Sequence, residues 1–484
     1  MSSRAVRELT LHELLIVEDD SAILDFRCNQ TGILFWPLVR LVFLRMMLSD
    51  LVYGVKLTGK TSTTVHGFHA VSTLLRSLAH NAQIRVTGRN RANVCVMSDG
   101  VANLWNGKHW FNRLTDHFVS AIPSDTLLIE DHFEWRWPFP RYHDRVMLHA
   151  PLQAFNTIEG RIRVRHHHRQ RAHQLVSILT RRAESYLQWS PGAERFAFLV
   201  EMLARKTASL PSQYTNYLAL LSNIQPRLLL VGGACYGPSA SLIVAAKSLG
   251  IVTAEYQHGA VTGGHDAYNF ATVIRDSQDY RQTLPDYFLS YGSWWNDQIN
   301  APVKKLAIGN PHRAAKIEEF KLQQSPKLDI LILSDGIEFG RYLDLANKIY
   351  KAVKDKNFRI VLRPHPLERT KVLAQSTSIS DGIIIDENAE LYTSLRTAHV
   401  VVSEISTGLF EAVGVANKIF IWNTSRSKFT FSGLPFQNFD TSDSLIELLE
   451  QENAGYVDSA IANSIWSNNW RDNYLNFYNK LSFC

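Results

Sequence analysis

Apolar positions in this chain gather in short unbroken runs instead of alternating with polar ones. Val400-Val401-Val402 with its neighbours, Phe358-Arg359-Ile360-Val361-Leu362 and Ile383-Ile384-Ile385 are rich in β-branched residues. Such runs read as strands buried on both faces, the condition of a parallel sheet. The second half therefore predicts strands at Leu328–Leu333, Phe358–Leu362, Ile383–Ile385, around Val400–Val402 and at Lys418–Trp422. The first half predicts them at Ala92–Met97, Thr126–Ile129, Pro226–Val231, Ile251–Tyr256, Tyr287–Gly292 and Leu306–Pro311. Helical patterns fill most of 1–85, Leu175–Leu221, Ser239–Ser248, the segment opened by Leu409-Phe410-Glu411-Ala412-Val413, and Ile446–Phe483. Strand–helix–strand alternation, interrupted by a Lys-, Glu-, Gln- and Ser-rich stretch, predicts two separate parallel sheets. The expected organisation is a helical N-terminal extension over 1–85, an α/β domain over 86–311, a linker over 312–327, a second α/β domain over 328–450 and C-terminal helices over 451–484.

A chain of 484 residues, 45% hydrophobic and 20% charged, has an ordinary globular composition and the length for two or three domains. Its net charge of +6 is uneven. The run Arg161-Ile162-Arg163-Val164-Arg165-His166-His167-His168-Arg169-Gln170-Arg171 suits a solvated face or, alternatively, anionic lipid, nucleic acid or a polyanionic acceptor. Nucleic acid ranks last, because neither a binding motif nor an aromatic platform accompanies the run. Three consecutive histidines cannot all face one ion from a regular element, so no metal site is expected there. Ile33–Val55 is apolar but carries Pro37, Arg40, Arg45 and Asp50, which argues against a spanning helix. Core packing is preferred over an interfacial helix with snorkelling arginines. Cys28, Cys95, Cys235 and Cys484 are widely spaced without a C-x-x-C pair, and no signal peptide is evident. These features predict a reduced, cytoplasmic protein, with peripheral contact at the cytoplasmic face of the inner membrane as a secondary expectation.

The candidate chemistry sits where predicted strands end, since open α/β sheets bind ligands at the carboxyl ends of their strands. Val400–Val402 is followed by Ser403-Glu404-Ile405-Ser406-Thr407-Gly408 and a helix, whose free N–H groups and dipole suit an anion. The upstream strand delivers Arg363-Pro364-His365-Pro366, with a proline fixing the backbone on each side of His365. Together these turns suit a nucleotide phosphate; the plain alternative is two ordinary βα turns with Ser403 as an N-cap. Gln257-His258-Gly259 ends another strand, and Gly259, Gly263 and Gly264 permit close backbone approach. Ser98-Asp99-Gly100 and Glu130-Asp131-His132-Phe133-Glu134-Trp135 place candidate acid/base groups at two further strand ends. Asn106-Gly107-Lys108 lies in a polar loop that suits a polar ligand or plain surface.

Several of these pieces resemble bacterial capsule and cell-surface polysaccharide transferases. They are Glu255-Tyr256-Gln257-His258-Gly259 with His265 and Tyr268, Arg363-Pro364-His365-Pro366, and Ser403 to Glu411. Similar motifs occur in capsular Kdo transferases, polysialyltransferases and CDP-glycerol glycerophosphotransferases. Ile33–Arg45 and Asn106-Gly107-Lys108 look like elements of uncharacterised members. The resemblance implies a GT-B fold, α/β with two Rossmann-like domains facing across a cleft. It implies donor binding by Arg363, His365, Ser403, Ser406, Thr407 and Gly408, with Glu411 on the nucleotide ribose. It also implies a reaction-centre role for His258. Asp99 and Asp131 are the next candidates for the base, because the acidic general-base motif of the sialyltransferases has no clean copy. Asn106, Lys108, Glu134 and His265 are the expected acceptor contacts. No Asp-x-Asp pair is evident, so neither a metal nor another cofactor is expected.

The function these readings predict is a glycosyltransferase. It would move a sugar (by preference CMP-activated) from a nucleotide donor to a bacterial surface polysaccharide or lipid-linked glycan. A CDP-glycerol-type polyol-phosphate transferase, a sugar-nucleotide 2-epimerase and a non-catalytic scaffold at the inner membrane are the alternatives.

Overall fold

In the computed structural model, which describes residues 8–54, 67–321, 326–374, 382–431 and 433–482, the apolar runs form two wholly parallel sheets. Val55, residues 322–325 of the expected linker and Cys484 lie outside the described residues. In the first sheet the strands lie in the order Val146–Leu148, Thr126–Glu130, Val94–Ser98, Leu228–Gly232, Val252–Tyr256, Tyr287–Ser290 and Lys304–Ala307. In the second the order is Ile383–Ile385, Arg359–Arg363, Asp329–Leu333, Ala398–Ser403, Lys418–Trp422 and Gln437–Phe439. In each sheet the first strand of the chain is central, the next two run out on one side and the remainder on the other. This is the doubly wound order of a Rossmann unit, with its switch point between the first and fourth strands. The chain is thus α/β with two Rossmann-like sheets, the GT-B class.

Both sheets are covered on both faces, which is why their strands read as continuous apolar runs. One cover of the first sheet comes from the far end of the chain. Tyr474 and Phe477 of the helix Trp470–Ser482 join Val94, Val96, Leu228 and Leu230 in one apolar cluster. The expected linker is not extended chain, since Pro311–Lys321 forms a helix. The edge strands Val146–Leu148 and Gln437–Phe439 and the hairpin Asn103–Trp105/Trp110–Asn112 were not anticipated; each strand is only three residues long.

The apolar segment that begins at Ile33 is core. Within the helix Trp36–Leu48, Trp36, Val39, Phe43 and Met47 are fully buried, and Phe43 meets Trp189 edge-on at 5.6 Å. Arg40 does not snorkel. It is 2% exposed and forms a two-pronged pair with buried Glu18, through Nε (2.6 Å) and Nη2 (2.8 Å). Its remaining donors bind the carbonyls of Asp266 (2.5 Å) and Asn269 (2.7 Å). Glu18 also accepts from Trp36 Nε1 (2.8 Å) and the Ala271 amide (3.1 Å). One buried ion pair therefore ties the N-terminal segment to the loop after His258.

The two sheets share an apolar core. A single cluster runs from Trp36 and Phe43 through Tyr268 and Trp295 to Val401, Phe410 and Phe436. Trp295 lies 4.5 Å from Phe410, and Trp466 donates its indole N–H to the Phe410 carbonyl (3.0 Å). At a second contact Gly264 lies against Phe429-Thr430, where a Cβ would come 2.1 Å from the Phe429 carbonyl oxygen.

Removing one partner of a buried ion pair leaves the other charge uncompensated. Arg40→Ala should lower the unfolding free energy by about 3–5 kcal/mol, read by chemical denaturation. A loss below ~1 kcal/mol would show that the pair behaves as a surface salt bridge.

Candidate active site between the two sheets

His258 from the first sheet and Thr407 and Glu411 from the second line one cavity, together with Arg113, Asn310, His312 and Tyr291. Its volume is about 60 Å³. His258 is aimed by its neighbour. Gln257, buried at the strand end, donates to the Gly259 carbonyl (2.7 Å) and accepts from the Tyr291 amide (2.8 Å), which fixes the turn. On the opposite wall, Ser403 Oγ donates to the Leu333 carbonyl (2.7 Å) and accepts from the Ser406 amide (3.2 Å). The Ser406 hydroxyl in turn accepts from the Gly408 amide (3.2 Å). Ser403 and Ser406 therefore shape the turn, and the helix after it is a single turn, Gly408–Glu411. At the expected anion site two of the amides are therefore occupied, and the dipole of the one-turn helix is short.

A chain of hydrogen bonds sets the protonation pattern of His258. The Ala267 amide donates to His265 Nδ1 (3.2 Å), so neutral His265 carries its proton on Nε2. That N–H reaches Tyr236 Oη (3.3 Å), and the Tyr236 hydroxyl lies 3.1 Å from His258 Nε2. Tyr236 Oη accepts from His265 and also from Arg45, which occupies its acceptor positions and leaves its own proton for His258 Nε2. The proton of His258 then resides on Nδ1, which is buried and has no hydrogen-bond partner among the described residues. In this order His258 presents an N–H donor at Nδ1. Burial, reinforced by His265, Arg113 and Arg45, lowers the His258 pKa to about 4. Burial also lowers His265 to about 4, with Asp266 opposing and Arg45 and Arg40 assisting. Both imidazoles are neutral at pH 7, as the chain of bonds requires. Behind them Arg45 lies over the Tyr236 ring (5.4 Å) and pairs with Asp266 (3.2 Å). Buried Glu255, raised to about 7 by desolvation, accepts from Tyr268 Oη (2.5 Å) and the Cys235 amide (2.8 Å).

The other expected site residues are dispersed. Asp99 and Asp131 line a separate cavity of about 640 Å³ with Ser98, His149 and Gly232, at the switch point of the first sheet. Asp131 is held there by His149 Nδ1 (2.5 Å) and Gln153 (3.1 Å). His265 stands behind Tyr236 and is not among the residues lining the His258 cavity. Asn106 caps the hairpin turn through the amides of Lys108 (3.1 Å) and His109 (2.7 Å), leaving Lys108 exposed at its tip. Glu134 pairs with Arg136 (2.9 Å). Arg363 is held by Asp386, Ser394 Oγ (3.2 Å) and the Asn388 carbonyl (2.9 Å), an internal brace of the turn. His365 lies on the Asp335-Gly336 turn. Gly336 has φ +79°, and a Cβ there would meet His365 Nδ1 at 2.6 Å. The Leu367 amide donates to that Nδ1 (3.3 Å), which leaves Nε2 as the protonated nitrogen of His365.

Arg113 and Tyr236 escaped the sequence reading because no strand-end motif marks them; His312, directly after the predicted strand Leu306–Pro311, was a signal passed over. His312 binds Glu390 (2.8 Å); although burial pushes Glu390 upward, the bonds from His312 and Lys316 hold it down at about 2. Among the described residues, no group of three or more His, Cys, Asp or Glu side chains is placed to hold a metal ion.

Nitrogen NMR on histidine-labelled protein should find Nδ1 of His258 protonated, and both His258 and His265 neutral down to about pH 5. Burial disfavours the charged form, so protonation begins only near pH 4. An unprotonated Nδ1 on His258, or titration at an ordinary histidine pKa, would refute the bond order.

No protein-family model matches the chain, and a search of curated proteins found no match. Among solved structures, the UDP-GlcNAc 2-epimerase of Methanocaldococcus jannaschii is similar over 81% of this chain and 99% of its own, with 11% identity and a TM-score of 0.44. The wall teichoic acid polymerase TagF is similar over 86% of this chain and 93% of its own, with 10% identity and a TM-score of 0.39. The UDP-N-acetylglucosamine 2-epimerase of Rickettsia bellii covers 81% of this chain and 96% of its own, with 12% identity and a TM-score of 0.38. Likenesses this distant leave the reaction open; the two-sheet architecture rests on the strand order itself.

Proposed function

We propose that the chain transfers a sugar, or a polyol phosphate, from a nucleotide-activated donor to a surface-glycan acceptor, with a CMP-sugar as the preferred donor. The observation that carries this reading is the meeting of His258 and Arg113 with Thr407 and Glu411 in one cavity between the sheets. Catalysis of such a transfer is chiefly stabilisation of charge on the departing phosphate. Arg113 and the Nδ1–H of His258 are the donors for that charge, in place of the internally braced Arg363. Glu411 and Thr407 hold the donor from the other side, Glu411 on the ribose hydroxyls. His365, protonated on Nε2 at the Asp335-Gly336 turn, contacts the nucleotide. The acceptor occupies the larger cavity, which has no lining residue in common with the first, so the transferred group must extend from the His258 cavity into it for Asp99 or Asp131 to remove the acceptor's hydroxyl proton.

A cavity of about 60 Å³ is far below the ~300 Å³ or more of ordinary ligand pockets. Donor entry therefore requires the two units to part along the Gly264 and Phe410 contacts, and closure then excludes water. The same enclosure favours a second reading, an intramolecular 2-epimerisation of the sugar nucleotide, which needs no acceptor. Incubation with donor alone separates the two: conversion without an acceptor supports epimerisation.

A thermal-shift screen against CMP, CDP, UDP, GDP and their sugars should raise the midpoint with a cytidine nucleotide. Against that ligand, Thr407→Ala, Glu411→Gln and His365→Ala should each weaken binding by about tenfold, as expected of a lost ~1–1.5 kcal/mol hydrogen bond. His258→Ala should lower turnover by about 10²–10³ with little change in donor affinity. Unchanged affinity in all three binding-site variants would sink the assignment.

A further inference from the structure

The helix Gly67–Val86 is mounted inside out. Thr73, Ser77, His80 and Asn81 face the protein, and His80 and Asn81 seal the edge of the first sheet. Asn81 donates to the Leu148 carbonyl and accepts from the Leu148 amide, both at 2.8 Å, in the manner of a neighbouring strand. His80 Nε2 lies 2.8 Å from the Val146 carbonyl, and Thr73 Oγ1 donates to the Trp135 carbonyl (2.6 Å). Phe68, Val71, Leu75 and Leu78, spaced three and four apart, consequently form a stripe directed at solvent.

The neighbouring helix Ala150–Arg163 repeats the arrangement with exposed Phe155, Ile158 and Ile162. Leu78 and Phe155 line one groove between these helices, and Arg161 lines another with Phe198 of the helix Gly192–Ile224, so exposed apolar residues stand on three helices that border these grooves. These exposed side chains retain between 48% and 88% of their accessible surface. Scattered exposed apolar residues are ordinary; a stripe on adjacent helices, backed by polar residues that already have partners, is not.

We propose that this face docks on an anionic lipid bilayer. The charge around it favours lipid over a second copy of the chain. Residues 67–86 contain no Asp or Glu, and residues 150–171 carry five arginines against the single Glu159. Glu159 is itself paired with Arg163 (3.0 Å). A two-fold dimer through this face would set arginine against arginine, whereas anionic headgroups neutralise them. Apolar side chains entering the acyl boundary with basic residues at headgroup level is the known pattern of an interfacial helix. The Arg161–Phe198 groove also shares Asn156, Thr157, Gln213 and Pro238 with the cavity of Asp99 and Asp131. A substrate held in the membrane thereby has a continuous path to those carboxylates. Among the described residues no helix is long and apolar enough to cross a membrane, so the attachment is to one leaflet. The proposal does not depend on the transferase reading, because its test requires neither donor nor turnover.

The experiment is co-sedimentation of the full chain with phosphatidylcholine vesicles, with and without phosphatidylglycerol. The expected result is partitioning onto the anionic vesicles that weakens as salt is raised. The double variant Leu75→Glu/Ile158→Glu should partition at least tenfold less, and Arg161→Gln and Arg165→Gln about fivefold less each. All four positions are exposed, so the melting temperature should hold. The salt series on the unmodified chain tests the proposal even if a variant misfolds. Partitioning that ignores lipid charge, or no partitioning at all, overturns it. So does a dimer in light scattering that Ile158→Glu dissolves.

Discussion

The conformation of the candidate site depends on a pair of opposite charges taken out of water. Glu18 and Arg40 are both buried, and burying ions is tolerated only where every lone pair and proton finds a partner. Here that condition does structural work beyond the pair. To satisfy its remaining donors, Arg40 must have the carbonyls of Asp266 and Asn269, and to satisfy Glu18 the Ala271 amide must point inward. The loop that follows His258 therefore has little freedom. His265, one residue before Asp266, receives the Ala267 amide in a fixed orientation, and the proton order runs from there through Tyr236 to His258. A chemical property of the His258 imidazole thus traces back to a charge pair in the N-terminal segment.

The second dependence is of one sheet on the other. The shared apolar core and the Trp466–Phe410 contact hold the units together with little space between them, although the strand ends that bring His258 and Glu411 forward belong to different units. An enclosed site strengthens electrostatic interactions by excluding water, at the cost of a required opening step.

Much of this was legible in the sequence, and the reasons separate cleanly. Parallel strands buried on both faces show as continuous β-branched runs, so Ile383–Ile385 and Lys418–Trp422 are where the pattern placed them. Three-residue edge strands such as Val146–Leu148 carry too few residues to show any period. The strand-end rule pointed to His258 and Thr407, and the family resemblance to Glu411, and the fold brings these three to one cavity. The same rule pointed to Arg363, yet its partners Asp386 and Ser394 are brought in only by the fold. Tyr236 and Arg113 lie far from the motifs they serve. Periodicity marks the helix Gly67–Val86 as amphipathic without revealing which face turns inward. That choice is made by the hydrogen-bonding needs of the sheet edge it covers.

The close approach at Gly264 has a consequence of its own. The seam between the units closes there because a hydrogen atom stands where any other residue would bring carbon. A single added methyl group would act as a wedge, holding the molecule ajar while leaving every group of the candidate site chemically intact. Position 264 is thus a natural handle for separating what the site owes to its side chains from what it owes to being dry.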